Sequence, residues 1–131
     1  MWTRWRNKKG GTQMSKLTVG QVLQQVDSFL PNTCDTQQKL HWLRQAEGFV
    51  AAEILCVPFD GDMTEDTHLT VPEPYGEMYR HYVEAQIHYI HAEMERFNNA
   101  MALWNSLFLG YQNQQRRNGG SGSGVTALKL C

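Results

Sequence analysis

The chain has 131 residues, a formal net charge of −1, 41% hydrophobic and 19% charged residues, which suits one small domain with tails. No run approaches the roughly 18 apolar residues of a membrane span, and the opening MWTRWRNKKGGTQ lacks the apolar stretch of a signal peptide, so a soluble, non-secreted protein with no membrane contact is expected. Cys34, Cys56 and Cys131 form no CxxC pair and no metal-ligand spacing, and their odd number speaks against a disulfide framework.

The charge is unevenly spread. Arg4, Arg6, Lys8, Lys9 and Lys16 precede Thr18, whereas all thirteen acidic residues lie between Asp27 and Glu95 and meet only Lys39, Arg44 and Arg80 there, leaving that segment at −10. From Arg96 onward the chain is +4. It reads as an acidic body with basic ends.

Residues 1–16 are polar, basic and glycine-containing, and read as a flexible arm carrying Trp2 and Trp5. Two tryptophans on such a segment point to docking. Val19, Val22, Leu23, Val26, Phe29 and Leu30 recur at helical spacing behind Thr18 as N-cap, and Pro31 ends this first helix. A second helix is expected from Asp35, with Gln38 completing a capping box, through Leu40, Leu43, Ala46, Val50, Ile54 and Leu55 to the limit set by Pro58. Residues 58–74 hold three of the four prolines and an Asp-Gly step, the signature of a long acidic loop, within which the alternating HLTV can pair as a short edge strand.

Beyond Pro74 a helical pattern runs from Tyr75 to about Arg116, roughly 60 Å at 1.5 Å per residue, too long for so small a body unless it bends or protrudes. Tyr75, Tyr79, Tyr82, Gln86 and Tyr89 form one stripe; Ile90, Met94, Phe97, Met101, Trp104, Phe108 and Tyr111 form another, shifted in phase by one residue. A change of direction within residues 89–99 is expected, where Asn98 and Asn99 also lower helix propensity. The fold class is therefore all-α, a small helix bundle with a long, kinked C-terminal helix, a flexible N-terminal arm and a strand-like C-terminal tail. The parts are an arm at 1–16, a helical domain at 17–117, and a linker and docking tail at 118–131. In that tail NGGSGSG precedes VTALKLC, in which Val125, Leu128 and Leu130 belong to a segment suited to strand addition on another molecule, with a disordered end as the alternative.

Catalytic signals are weak. His81, Glu84, His88, His91 and Glu95 step by 3, 4, 3, 4 and would share one helix face. Di-iron bundles instead draw Glu-x-x-His from two helices and Glu from two more, so a polar contact stripe is the preferred reading, without metal or other cofactor. Ser28, Ser106 and Cys56 have no glycine elbow, GGSGSG opens no phosphate-binding helix, and Asp60, Asp62, Glu65 and Asp66 lack EF-hand spacing. No enzyme is expected. The basic Trp-bearing arm keeps open a small helical DNA-binding or regulatory protein, although the acidic body behind it would repel a polyanion.

The run LTVPEPYGEMYRHYVEAQIHYIHAEMERFNNAMALWNSLFLGYQ, Leu69 to Gln112, resembles the C-terminal half of the small helical head-to-tail connector (adaptor) proteins of tailed bacteriophages. There a Val-Pro segment leads into PY-x-x-x-Y-x-x-Y and ends in F-N-N-A-x-x-x-[WF]-N. The resemblance implies a virion structural protein at the head-to-tail interface. It would form a homo-oligomeric ring, commonly of twelve copies, between the portal protein and the stopper or tail-completion protein, with DNA passing through the channel without specific binding. Trp2, Trp5, Tyr75, Tyr79, Tyr82, Tyr89, Trp104, Val125, Leu128 and Leu130 are then the expected subunit and partner contacts.

Overall fold

The computed structural model describes residues 16–59 and 62–120. Expectations for the arm, including Trp2 and Trp5, for the tail, including Val125, Leu128 and Leu130, and for Asp60 lie outside the described residues. Among those described, the order is strand β1 (Lys16–Thr18), helix α1 (Val19–Phe29), helix α2 (Thr36–Val50) with a π-helical last turn (Ala51–Leu55), strand β2 (His68–Pro72), helix α3 (Glu77–Ile90) and helix α4 (Met94–Gly120). The architecture is mostly helical and bundle-like, with one small sheet added to the all-α expectation.

Helix α1 begins where Thr18 predicts. Its hydroxyl accepts from the Gln21 N–H at 3.2 Å and the Gln21 side chain accepts from the Thr18 N–H at 2.9 Å, a complete capping box. The second capping box does not form. Asp35 takes the N-cap position of α2 in extended conformation but makes no side-chain hydrogen bond, and the Asp35 carbonyl starts the helix through the Lys39 N–H. Both Asp35 and Thr36 are exposed, so water can serve the first-turn amides.

HLTV does become a strand. β2 pairs antiparallel with β1, Thr18 opposite His68 and Lys16 opposite Pro72, with an irregularity between them. Lys16 therefore belongs to the folded body and not to the arm. The Val19 N–H continues the pairing to the Thr67 carbonyl at 2.9 Å, which ties the start of α1 to the loop before β2.

The long C-terminal helix is two helices, and the phase shift between the stripes marks a reversal of the chain. Ala92 takes a left-handed backbone with φ 60°, the Ala92 N–H reaches the Tyr89 carbonyl at 3.0 Å and the Glu93 N–H reaches the His88 carbonyl at 2.9 Å. These two bonds are the Schellman arrangement that ends helices, here built on alanine where glycine is usual. The returning helix places the aromatic stripes against each other. Tyr75 meets Tyr111 at 5.7 Å between ring centroids, Tyr82 meets Trp104 at 5.0 Å and Tyr89 meets Phe97 at 5.3 Å. Each advance of seven residues is matched by seven in return, the repeat of antiparallel coiled-coil packing.

One core joins all layers: Val19, Val22 and Val26 of α1, Leu43 and Val50 of α2, Leu69 and Val71 of β2, and Met78, Tyr79, Val83 and Ile87 of α3. Trp104, Phe108 and Tyr111 of α4 close it from the outside. Helix α4 runs to Gly120, past Asn118, where the linker was expected to begin.

Candidate functional site

The tyrosine ladder divides between core and surface. Tyr79 and Tyr82 are buried within the chain, as is Trp104; Tyr75 is half-buried, and Tyr89 is 56% exposed. Tyr79, Tyr82 and Trp104 were expected to be subunit contacts. Tyr79 is enclosed by Glu47 of α2 and Val71 of β2, and the reversal at Ala92 brings Tyr82 and Trp104 together, supplying the aromatic surface that a single extended helix would have sought from a neighbour.

The histidine and glutamate stripe is broken by the same reversal. Glu84 pairs with Arg80 at 3.0 Å, and Arg80 also holds Glu77 at 2.7 Å. His88 Nδ1 lies 2.7 Å from Glu93 Oε1 across the turn, which holds the Glu93 carboxyl below the usual range. Burial keeps His81 below its ordinary value. His91 and Glu95 follow the end of α3 and no longer share its face. Among the described residues no group of three or more His, Cys, Asp or Glu is placed to hold a metal ion.

Two charged groups inside the body went unread in the sequence. Lys39, almost fully buried, donates to Asp27 Oδ1 at 2.7 Å and to Asn32 Oδ1 at 3.3 Å, joining α1 to α2 and depressing the Asp27 carboxyl through that hydrogen bond. It sits in a polar cleft with Thr18, Gln21, Gln24 and Glu65. Glu47 of α2 is 6% exposed. Its Oε2 accepts from both the N–H and the hydroxyl of Thr70 at 2.8 Å, and its Oε1 accepts from the Tyr79 hydroxyl at 2.6 Å. The Tyr79 oxygen in turn accepts from the Val71 N–H at 3.1 Å. A buried carboxylate so surrounded is satisfied and rigid, and it fastens α2, β2 and α3 together. Its signal in the sequence was position: Lys39 and Glu47 stand four residues either side of Leu43, on the apolar stripe itself.

Among the described residues, several large apolar side chains remain uncovered. Tyr89, Ile90 and Met94 cluster at the tip of the hairpin, each about half exposed. Leu103 and Leu109, 49% and 53% exposed, stand on α4 six residues apart, so they lie on different flanks of the helix about 120° from each other. Phe49 of α2 is also exposed at its edge, with its ring 6.4 Å from Trp104. No described helix is long and apolar enough to cross a membrane. No protein-family profile, curated protein or solved structure matches the chain.

Proposed function

We propose that the chain is a head-to-tail connector of a tailed-phage virion. In this reading identical copies, twelve by analogy with the resembled family, form a ring between the portal and the stopper or tail, and DNA passes through without specific binding. The observation that carries the proposal is the pair of uncovered flanks on α4. A two-fold dimer needs one self-complementary patch, whereas a closed ring needs two different patches on each copy. Leu103 and Leu109 supply two. The −10 segment from Asp27 to Glu95 adds an acidic surface over which DNA slides without phosphate contacts. The Gly-rich stretch and Val125, Leu128 and Leu130 serve as a strand-adding hook on a neighbouring component, and Trp2 and Trp5 as anchors of the basic arm.

Electron microscopy of the purified chain, and of particles reconstituted with portal, tests this reading. Rings are expected, and a chain ended after Asn118 should keep its helicity while losing attachment to the portal or to the next tail component. DNA affinity should vanish in a chain beginning at Lys16. Tight binding by that shortened chain, with no ring, would favour the DNA-binding alternative.

A further inference from the structure

We infer that the two-stranded sheet is closed to strand addition, so that the acceptor for the C-terminal segment is a sheet of a different protein and not a second copy of this chain. The inference rests on the proposed hook role of that segment. A two-stranded sheet has two outer edges, and an open edge accepts an extended peptide through its unpaired N–H and C=O groups. In a ring each sheet would face neighbouring copies of VTALKLC at high effective concentration. Self-addition would then consume the hook before it met another component.

Three backbone donors that a third strand could use are already taken by side chains. On β2 the Thr70 N–H goes to Glu47 Oε2 at 2.8 Å and the Val71 N–H to the Tyr79 oxygen at 3.1 Å. Tyr79 is locked in place by its own 2.6 Å bond to Glu47 Oε1, and neither residue is more than 6% exposed. On β1 the Thr18 N–H is held by Gln21 Oε1 at 2.9 Å, and the chain turns into α1 at the next residue. β1 itself offers three residues, a short platform for any partner. Glu47 thus stands where the next strand would lie, and it has the geometry of a guard on that edge as well as of a brace between helices.

The test uses the full chain and a fluorescent synthetic peptide of residues 124–131 carrying Cys131→Ser, followed by anisotropy. The wild-type chain should give no saturable binding up to about 1 mM peptide-binding sites, and amide hydrogen exchange should find Thr18, Thr70 and Val71 protected. Glu47→Ala, checked for folding by circular dichroism, should bind the peptide at least about ten-fold more tightly than wild type, because it frees the Thr70 donor and releases Tyr79. Saturable binding to the wild type, fast exchange at Thr70 and Val71 in the folded chain, or a folded Glu47→Ala chain without gain would each overturn the inference. Should Glu47→Ala unfold, the exchange measurement on the wild type decides alone. Failure of the hook reading looks different: the chain ended after Asn118 would still attach to portal, whatever the exchange rates.

Discussion

Tyr82 and Trp104 stack across the α3–α4 hairpin with ring centroids 5.0 Å apart, midway between the Tyr75–Tyr111 and Tyr89–Phe97 pairs. Tilted aromatic pairs at this distance add about 0.5–1.5 kcal/mol beyond the area they bury. The three rungs are unequally enclosed, since Trp104 is buried and Tyr89 exposed. Trp104→Ala should therefore cost about 3–5 kcal/mol and Tyr89→Ala less than about 1 kcal/mol. Urea unfolding followed by far-UV circular dichroism checks this; equal losses would mean that the rungs are not graded by burial.

Ala92 pays a steric cost in its left-handed conformation, where Cβ crowds the following carbonyl. Ala92→Gly should relieve it and raise stability by about 1 kcal/mol, despite the greater freedom of glycine in the unfolded chain. A rise in the urea midpoint at constant slope is the expected readout. A fall would mean that the turn does not hold Ala92 as described.

The buried tyrosines set an alkaline limit. Burial raises the Tyr79 hydroxyl well above its usual value, with the Glu47 charge adding to it; burial also raises Tyr82, and raises Tyr111 with help from Glu47. A phenol whose folded value lies above its unfolded one holds its proton more tightly in the native state, so its contribution is complete below about pH 10 and falls as pH climbs past that. Stability should therefore drop steeply above about pH 10. Tyr79→Phe should cost about 2–3 kcal/mol at neutral pH, by stripping Glu47 and the Val71 N–H of a partner, and should flatten the alkaline fall. Thermal melts of both chains between pH 7 and about pH 11 give the comparison.

The two flanks of α4 can be separated by mixing. Leu103→Glu and Leu109→Glu should each leave monomer stability within about 0.5 kcal/mol, since both side chains are half exposed. Each should abolish the proposed ring. An equimolar mixture of the two should yield a two-subunit species by native mass spectrometry and no larger assembly, because only one intact pair of faces remains between the variants. A mixture that stayed monomeric would place both leucines on the same face.

Local chemistry in the sequence matched the fold at several points, although the capping box expected at Asp35 does not form. Thr18 and Gln21 start α1 as a capping box, Leu30 caps its end just before Pro31, and HLTV pairs as a strand because its alternation puts Leu69 and Val71 inward. The seven-residue aromatic spacing was visible too, but its meaning was not. A helix stop normally shows glycine or proline, and Ala92 is neither, so the reversal was legible only as a shift of phase. Glu47 and Lys39 were passed over because a charge on an apolar stripe has no partner until the chain folds; Thr70, Tyr79 and Asp27 are 23, 32 and 12 residues away from them. The strand β1 was hidden for the same reason, since three residues carry no periodicity of their own.

The pairing of Lys16–Thr18 with His68–Pro72 also bears on the order in which the chain can fold. Joining those strands closes a loop of roughly fifty residues, whose entropy must be met before the contacts return anything. The α3–α4 hairpin needs no such closure: its contacts are local and begin at the Ala92 turn. Yet the hairpin leaves the ribosome after α1, α2 and both strands. Helices α1 and α2 therefore emerge with Val22, Val26, Leu43 and Val50 still bare, and they must wait for the second half of the chain to cover them. Nascent chains stalled near residue 75 should accordingly recruit chaperones, and chains stalled far enough past residue 120 for α4 to clear the exit tunnel should not.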